Sequence, residues 1–338
     1  MPKHHTPKNQ SGGITRRRLM ANAAAGTAAG TLAFSPLAAA QGPSAPQRVK
    51  GPAVWLDMDQ AELDASYDND GFVTNHAQVN ERRSANNEIA LQHIDPPEIV
   101  SYGPAEIEKL EIYRTAAPNA PVTLFLHGGG WRGGRAAQVA YMAECFIDAG
   151  AHFVPVDFSS VLQTEGSLYP LVDQARRATA WVYRNAASFG ADLNKVYLIG
   201  HSAGGHMGGC VVTNDWEAED LPQDILKGAL LGSGMFDLRP VRLSSRSGYV
   251  SITDEMEEDL SPQRHIDKIH TPLVITYGML ETPDFQRQSR DFYEAVRAAG
   301  KPAKLVAGTA YNHYETQETL GNPYGFMGRA ALEMMGLG

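Results

Sequence analysis

Cysteine is nearly absent: 338 residues hold only Cys145 and Cys210. Two thiols cannot build a disulfide framework or a four-thiolate zinc site. Both read as small buried hydrophobes within helices. Long apolar runs are missing too. Beyond the N-terminal segment no stretch of about 18 apolar residues occurs, which excludes a membrane-spanning helix in the body of the chain. Positive charge is in deficit, with 29 Lys and Arg against 38 Asp and Glu and a formal net charge of −9. No basic stripe compensates, so phosphate backbones are repelled on average and a nucleic-acid partner is excluded. Internal repeats are also lacking. With 43% hydrophobic and 20% charged residues, the chain is neither a disordered protein nor a coiled coil.

Acids are missing from the first forty residues, which hold five Lys and Arg. Thr15-Arg16-Arg17-Arg18-Leu19-Met20 precedes a weakly apolar run rich in Ala, Gly and Thr, ending Pro36-Leu37-Ala38-Ala39-Ala40. Paired arginines, a mild apolar region and an Ala-x-Ala end resemble a twin-arginine export signal over 1–40. The expected destination is therefore periplasmic or secreted, with 41–54 a linker and 55–338 the folded domain. Within 51–97 strand alternation is absent, and the residues from Trp55 to Asp64 suggest a short helix. Asp68-Asn69-Asp70-Gly71 fails as a calcium loop, because its twelfth position is Ala77 rather than Glu.

From residue 99 onward, short β-rich runs fall at 99–102, 110–114, 122–127, 152–157, 196–200, 228–231, 273–277 and 304–307. Several are continuously apolar, as in strands buried on both faces. Helical patterns lie between them at 136–149, 171–189, 203–213 and 285–299. The alternation predicts an α/β fold: a mostly parallel, twisted, eight-stranded sheet with helices on both faces.

The run Val196-Tyr197-Leu198-Ile199 leads into Gly200-His201-Ser202-Ala203-Gly204-Gly205. Gly-x-Ser-x-Gly between a strand and a helix is the nucleophile turn of the α/β-hydrolase fold. A serine hydroxyl attacks only when it is exposed beside a base. The tight turn lifts it above the sheet, and glycines two residues to either side leave the space. Gly208 and Gly209 continue the series, and close packing of this helix on the sheet is the simplest reason for them. His201 and His206 read as buried supports.

A second glycine run, His127-Gly128-Gly129-Gly130-Trp131, follows the strand at 122–126. It lacks the Gly-Lys-Ser/Thr ending of a phosphate loop. Backbone N–H groups of Gly129, Gly130 and Ala203 are the expected oxyanion donors, and His127 the group that orients the loop. The base in this architecture follows the last strand, and His313 is the only histidine C-terminal to His270. The acid follows the preceding strand, where Glu281 and Asp284 both fit; Asp237 is a weaker third. Trp131, Phe158, Tyr311 and Tyr314 are candidates for an aromatic pocket or for core. Residues 237–271 are expected to form a small lid, with the acidic stretch from Asp254 to Asp259 a solvated face.

These motifs, together with Leu56-Asp57 and Ala61-Glu62-Leu63-Asp64-Ala65-Ser66-Tyr67, Phe236-Asp237-Leu238-Arg239-Pro240 and the segment from Glu281 to Ser289, resemble the kynurenine formamidase (arylformamidase) branch of the α/β-hydrolases, near the hormone-sensitive-lipase-like esterases. The resemblance covers about residues 55–320. It implies a Ser202–His313–Glu281 triad, with Glu281 where the family commonly has Asp. It also implies a segment ahead of the first strand folded over the site, a small ester or formamide substrate, and no cofactor or metal. N-formylkynurenine is a cytoplasmic metabolite, whereas the leader points outward, so a broader exported carboxylesterase or arylformamidase-like hydrolase is the primary reading. A true kynurenine formamidase is the second, and a non-catalytic exported binding protein with the same fold the third.

Overall fold

A computed structural model describes Met1 and residues 48–338. The export leader and most of the linker lie outside the described residues. Lys50–Gly338 forms one compact unit.

The unit starts ahead of the expected boundary at 55. Strand β1 (Ala53–Trp55) pairs antiparallel with β2 (Met58–Asp59). Asp59 then caps helix α1 (Gln60–Ser66) through a reciprocal bond with Glu62, which stops the helix from starting at Trp55. Asp68 caps the short α2 (Asn69–Phe72) by accepting from the Gly71 N–H, so these acids serve a helix end. Helix α3 (His76–His93) was not expected. Its sequence carries no apolar stripe, and only Val79 and Ala90 are buried. Tertiary contact rather than periodicity holds it.

The eight expected strands all form, in one sheet: β3 (Glu98–Ser101), β4 (Lys109–Ile112), β5 (Ala120–Leu126), β6 (His152–Val156), β7 (Ala191–His201), β8 (Gly228–Gly232), β9 (Leu273–Gly278) and β10 (Ala303–Gly308). Their order is β10-β9-β8-β7-β5-β6-β4-β3. The β6-to-β10 part of the sheet is parallel, and β3 and β4 add an antiparallel edge.

Alternate residues of the central strands feed two cores. Leu124, Leu126, Val154, Leu198, Leu231 and Ile275 face one; Phe125, Phe153, Ile199, Leu230 and Val274 face the other. The first is covered by α1, α5 (Tyr169–Asn185), α6 (Ala203–Val212), α7 (Leu238–Leu243) and α9 (Pro283–Ala298). The second lies under α4 (Ala140–Asp148) and α11 (Phe326–Met334). The expected helix at 136–149 is split, its first turn forming a separate 3-10 segment at Ala136–Gln138. Cys145 and Cys210 are free and buried, in α4 and α6.

The glycines of α6 let that helix touch the sheet. A Cβ on Gly204 would lie 1.9 Å from the Leu126 carbonyl oxygen, and one on Gly205 2.7 Å from that of Gly232. Residues 237–271 form α7, α8 (Asp254–Asp259) and 3-10 turns over the same sheet end, with Val241, Val250, Met256 and Leu260 buried beneath. The acidic stretch is not wholly solvated. Glu257 is 6% exposed and accepts from Arg264 (2.7 Å), Arg242 (3.2 Å) and Arg239 (3.4 Å). Burial alone would raise its pKa, but the three guanidinium bonds outweigh it and leave the pKa lowered. Among the described residues no helix is long and apolar enough to cross a membrane.

Candidate active site

The C-terminal ends of β5, β7, β8, β9 and β10 bring the predicted residues together. Ser202 joins β7 to α6 with φ 57° and ψ −120°, a left-handed backbone that a non-glycine residue holds only under constraint. Its N–H donates to the Gly232 carbonyl at 2.8 Å. A Cβ on Gly200 would meet the Gly204 carbonyl oxygen at 2.2 Å, so the turn tolerates no side chain there.

His313 opens α10 (His313–Glu318), whose cap is Asn312. Its Nε2 lies 2.8 Å from Ser202 Oγ and its Nδ1 3.0 Å from Glu281 Oε2. An ionised carboxylate can only accept, so Nδ1 carries the proton and Nε2 is free to accept from the serine hydroxyl. The other carboxylate oxygen, Oε1, accepts from Ser233 Oγ at 2.6 Å and from the Gly278 N–H at 2.7 Å. Ser233 is fully buried and has φ 50°. Its role was not legible in the sequence.

Asp284 faces elsewhere. Its Oδ2 accepts from the Tyr67 hydroxyl at 2.5 Å, and its Oδ1 from Arg287 Nε at 2.6 Å. Gln288 donates to the same hydroxyl at 2.7 Å. Burial and the Asp284 charge push the Tyr67 pKa well up, so the phenol stays protonated and donating. Asp237 caps α7 and pairs with Arg264. The geometry thus joins Glu281, and neither of the other two acids, to His313.

The glycine loop lies directly against the serine: a Cβ on Gly128 would be 3.1 Å from Ser202 Cβ. Gly129 (φ 111°) and Gly130 (φ 61°) adopt left-handed backbone. Their N–H groups have no acceptor among the described residues, and Ala203 opens α6 where no helical acceptor exists. His127 donates from Nδ1 to the Gly128 carbonyl at 2.8 Å and stacks on Phe158 at 4.1 Å. His206 accepts from Trp131 Nε1 at 3.3 Å and donates to the Leu260 carbonyl at 2.8 Å. Burial lowers both of these histidines to about 4, so they are neutral scaffolding. His201 packs 4.9 Å from the His313 ring, with Nε2 2.8 Å from Thr316 Oγ1. Burial, then the neighbouring imidazole, takes its pKa well below the usual range.

A cavity of about 830 Å³ opens above these groups. Of the four proposed pocket aromatics, only Tyr314 lines it. Trp131 and Phe158 are core, and Tyr311 stacks on Phe326. Arg132, Arg135, Gln138 and Gln317 add to the wall, and two stretches supply most of the rest: the segment that the resemblance expects over the site, and one that carries no motif. Asp64, Tyr67, Asp68, Asp70 and Arg83 come from the segment ahead of the sheet, and Ser245, Arg246 and Tyr249 from the turns after α7.

A strained serine on a strand-to-helix turn, on a mostly parallel eight-stranded sheet, defines the chain as an α/β-hydrolase. A family pattern described as BD-FAE matches residues 110–225. The kynurenine formamidase of Danio rerio is 28% identical over 244 residues, which cover 70% of this chain and 81% of that one. Esterase LipC of Mycobacterium tuberculosis is 26% identical, covering 60% and 55% respectively. Among solved structures, the thermophilic esterase Est2 of Thermogutta terrifontis, with propionate bound, superposes with a TM-score of 0.57 at 25% identity, covering 72% of this chain and 95% of that one. Within the α/β-hydrolase fold, the chain is thus similar to kynurenine formamidases and to esterases, and it is a hydrolytic enzyme.

Proposed function

We propose that this enzyme is a serine hydrolase that cleaves small carboxylic esters or aryl formamides through an acyl-enzyme. The observation that carries the reading is the unbroken relay Ser202 Oγ–His313–Glu281, at 2.8 and 3.0 Å. Ser202 Oγ attacks the carbonyl carbon while its proton passes to His313 Nε2. Glu281 stays ionised, holds the imidazole in the productive tautomer and stabilises the imidazolium. The carbonyl oxygen takes up the electron pair and is held by N–H groups of Gly129, Gly130 and Ala203, each worth about 3 kcal/mol in such sites. Collapse of the tetrahedral adduct expels the alcohol or arylamine, which leaves with the proton from His313. Water, deprotonated by the same imidazole, then attacks the acyl-serine and frees the acid and Ser202.

Supporting the substrate class are the formamidase and esterase relatives and the absence of side chains over Gly128–Gly130, where a carbonyl must sit. The Danio rerio relative favours a second reading, hydrolysis of N-formylkynurenine itself. We further propose export by a twin-arginine route, on the strength of residues 15–40. A fluorophosphonate probe should label the purified protein and fail to label Ser202→Ala; equal labelling of both sinks the proposal. Rates on 4-nitrophenyl acetate, 4-nitrophenyl butyrate and N-formylkynurenine, measured side by side, decide between the two substrate readings.

A further inference from the structure

The cavity wall carries both signs of charge: Asp64, Asp68 and Asp70 against Arg83, Arg132, Arg135 and Arg246. Asp64 accepts from the Ser245 N–H at 2.7 Å and from Gln60 at 2.9 Å. Asp68 accepts from the Gly71 N–H at 3.0 Å, and Asp70 from the Tyr314 hydroxyl. Arg246 is matched only in part. It is only 8% exposed, and among the described residues it forms no ion pair. Its Nε donates to the Tyr67 carbonyl at 3.1 Å, while its buried Nη1 donates to nothing.

The guanidinium lies beside the glycine loop and near the aromatic ring that packs on His313. It lies 5.8 Å from the Phe285 ring, which packs 4.8 Å from the ring of His313. On its other side, a Cβ on Gly130 would be 3.4 Å from Nη1. The rings of Tyr67 and Trp131 complete an aromatic surround at 5.8 and 6.0 Å. A guanidinium cannot shed its charge, and burying it without a counter-ion is costly. Ring faces and one carbonyl leave part of the donor fork unused.

We infer that Arg246 selects substrates bearing a carboxylate close to the scissile bond, received by the free edge of its guanidinium. The inference rests on reading this cavity as the hydrolytic site. The carboxylate can sit on the acyl part or on the leaving group, so two matched pairs separate these cases. Mono-4-nitrophenyl succinate is set against 4-nitrophenyl butyrate, and 2-formamidobenzoate against formanilide. In at least one pair the wild-type kcat/KM should favour the anion by about tenfold or more, and Arg246→Met should cut that anion-to-neutral ratio by about 30-fold. Arg246→Lys should restore the ratio to within about fivefold of wild type. A ratio unmoved by Arg246→Met, or a wild-type preference for the neutral member in both pairs, overturns the inference.

Binding gives a readout independent of turnover. The fluorescence of 2-aminobenzoate titrated with the Ser202→Ala protein should report a Kd that weakens about tenfold when Arg246→Met is added. An unchanged Kd, or no saturable binding where the formamide pair shows the anion preference, overturns it. If neutral esters are hydrolysed while both anion tests fail, the hydrolase reading stands and the anion site falls. If nothing is hydrolysed but the Kd shifts as expected, the reverse holds.

Discussion

At the floor of the cavity the chain packs backbone against backbone. The Gly204 Cα faces the carbonyls of Leu126 and His127, and Gly200 faces Gly204. The roof, from Asp64 to Arg83 and from Ser245 to Tyr249, is made instead of long polar side chains reaching across an open volume. A floor of this kind fixes atoms within tenths of an ångström, as transition-state complementarity requires. A roof of this kind can be rewritten one side chain at a time without disturbing the relay. Chemistry is thus held by the absence of side chains, and substrate choice by their identity.

The comparison breaks first at Gly204. The methyl of Gly204→Ala would meet two main-chain oxygens, at 1.9 and 2.7 Å, and neither can yield. We expect a loss of more than about 4 kcal/mol, seen as no folded protein in circular dichroism. A variant that folds with a near wild-type Tm would show that the floor is looser than its geometry implies.

The next effect separates the two acids at the seam between floor and roof. Glu281→Gln should lower kcat by about 10³–10⁴, because the amide no longer fixes the imidazole tautomer. Asp284→Asn should leave kcat on a short ester within about threefold but reduce stability by about 2–4 kcal/mol, by removing the buried charge that Arg287 Nε and the Tyr67 hydroxyl bind and leaving Asp291 as the only acid on Arg287. The opposite pattern in stopped-flow rates and chemical denaturation would exchange the two assignments.

Acid tests the floor as a whole. His127 and His206 have folded pKa values of about 4, below the unfolded value of about 6.5. Below pH 6.5 the unfolded chain binds the extra protons, so stability is full above that pH and falls as pH drops from 6.5 through 4. Each ring accounts for roughly 3 kcal/mol of that loss. Urea midpoints measured across this range should fall continuously, and His206→Gln should flatten the slope.

What could be foreseen divides along the same line. Strands β5, β6, β8 and β9 were legible because buried parallel strands are continuously apolar. Ser202, His313 and the glycine loop were legible because strained turns demand particular residues. Glu281 and Asp284 stand three residues apart across the start of α9, and only the partners of each, Ser233 and Tyr67, tell them apart. Helix α3 left no trace in hydrophobic periodicity, since it buries little. Arg246 lies in Ser244-Ser245-Arg246-Ser247-Gly248, which reads as a solvated loop until the fold closes Tyr67, Trp131 and Phe285 around it.

The contact between Tyr67 and Asp284 is one of several that join the two ends of the domain. Thr282 Oγ1 donates to the Ser66 carbonyl at 2.7 Å, and Asn312 to Asn75 Oδ1 at 2.9 Å. On the ribosome, the segment that emerges first must therefore wait for almost the last to be made. Catalytic competence comes at the close of synthesis, as one cooperative event at the longest sequence separations in the domain.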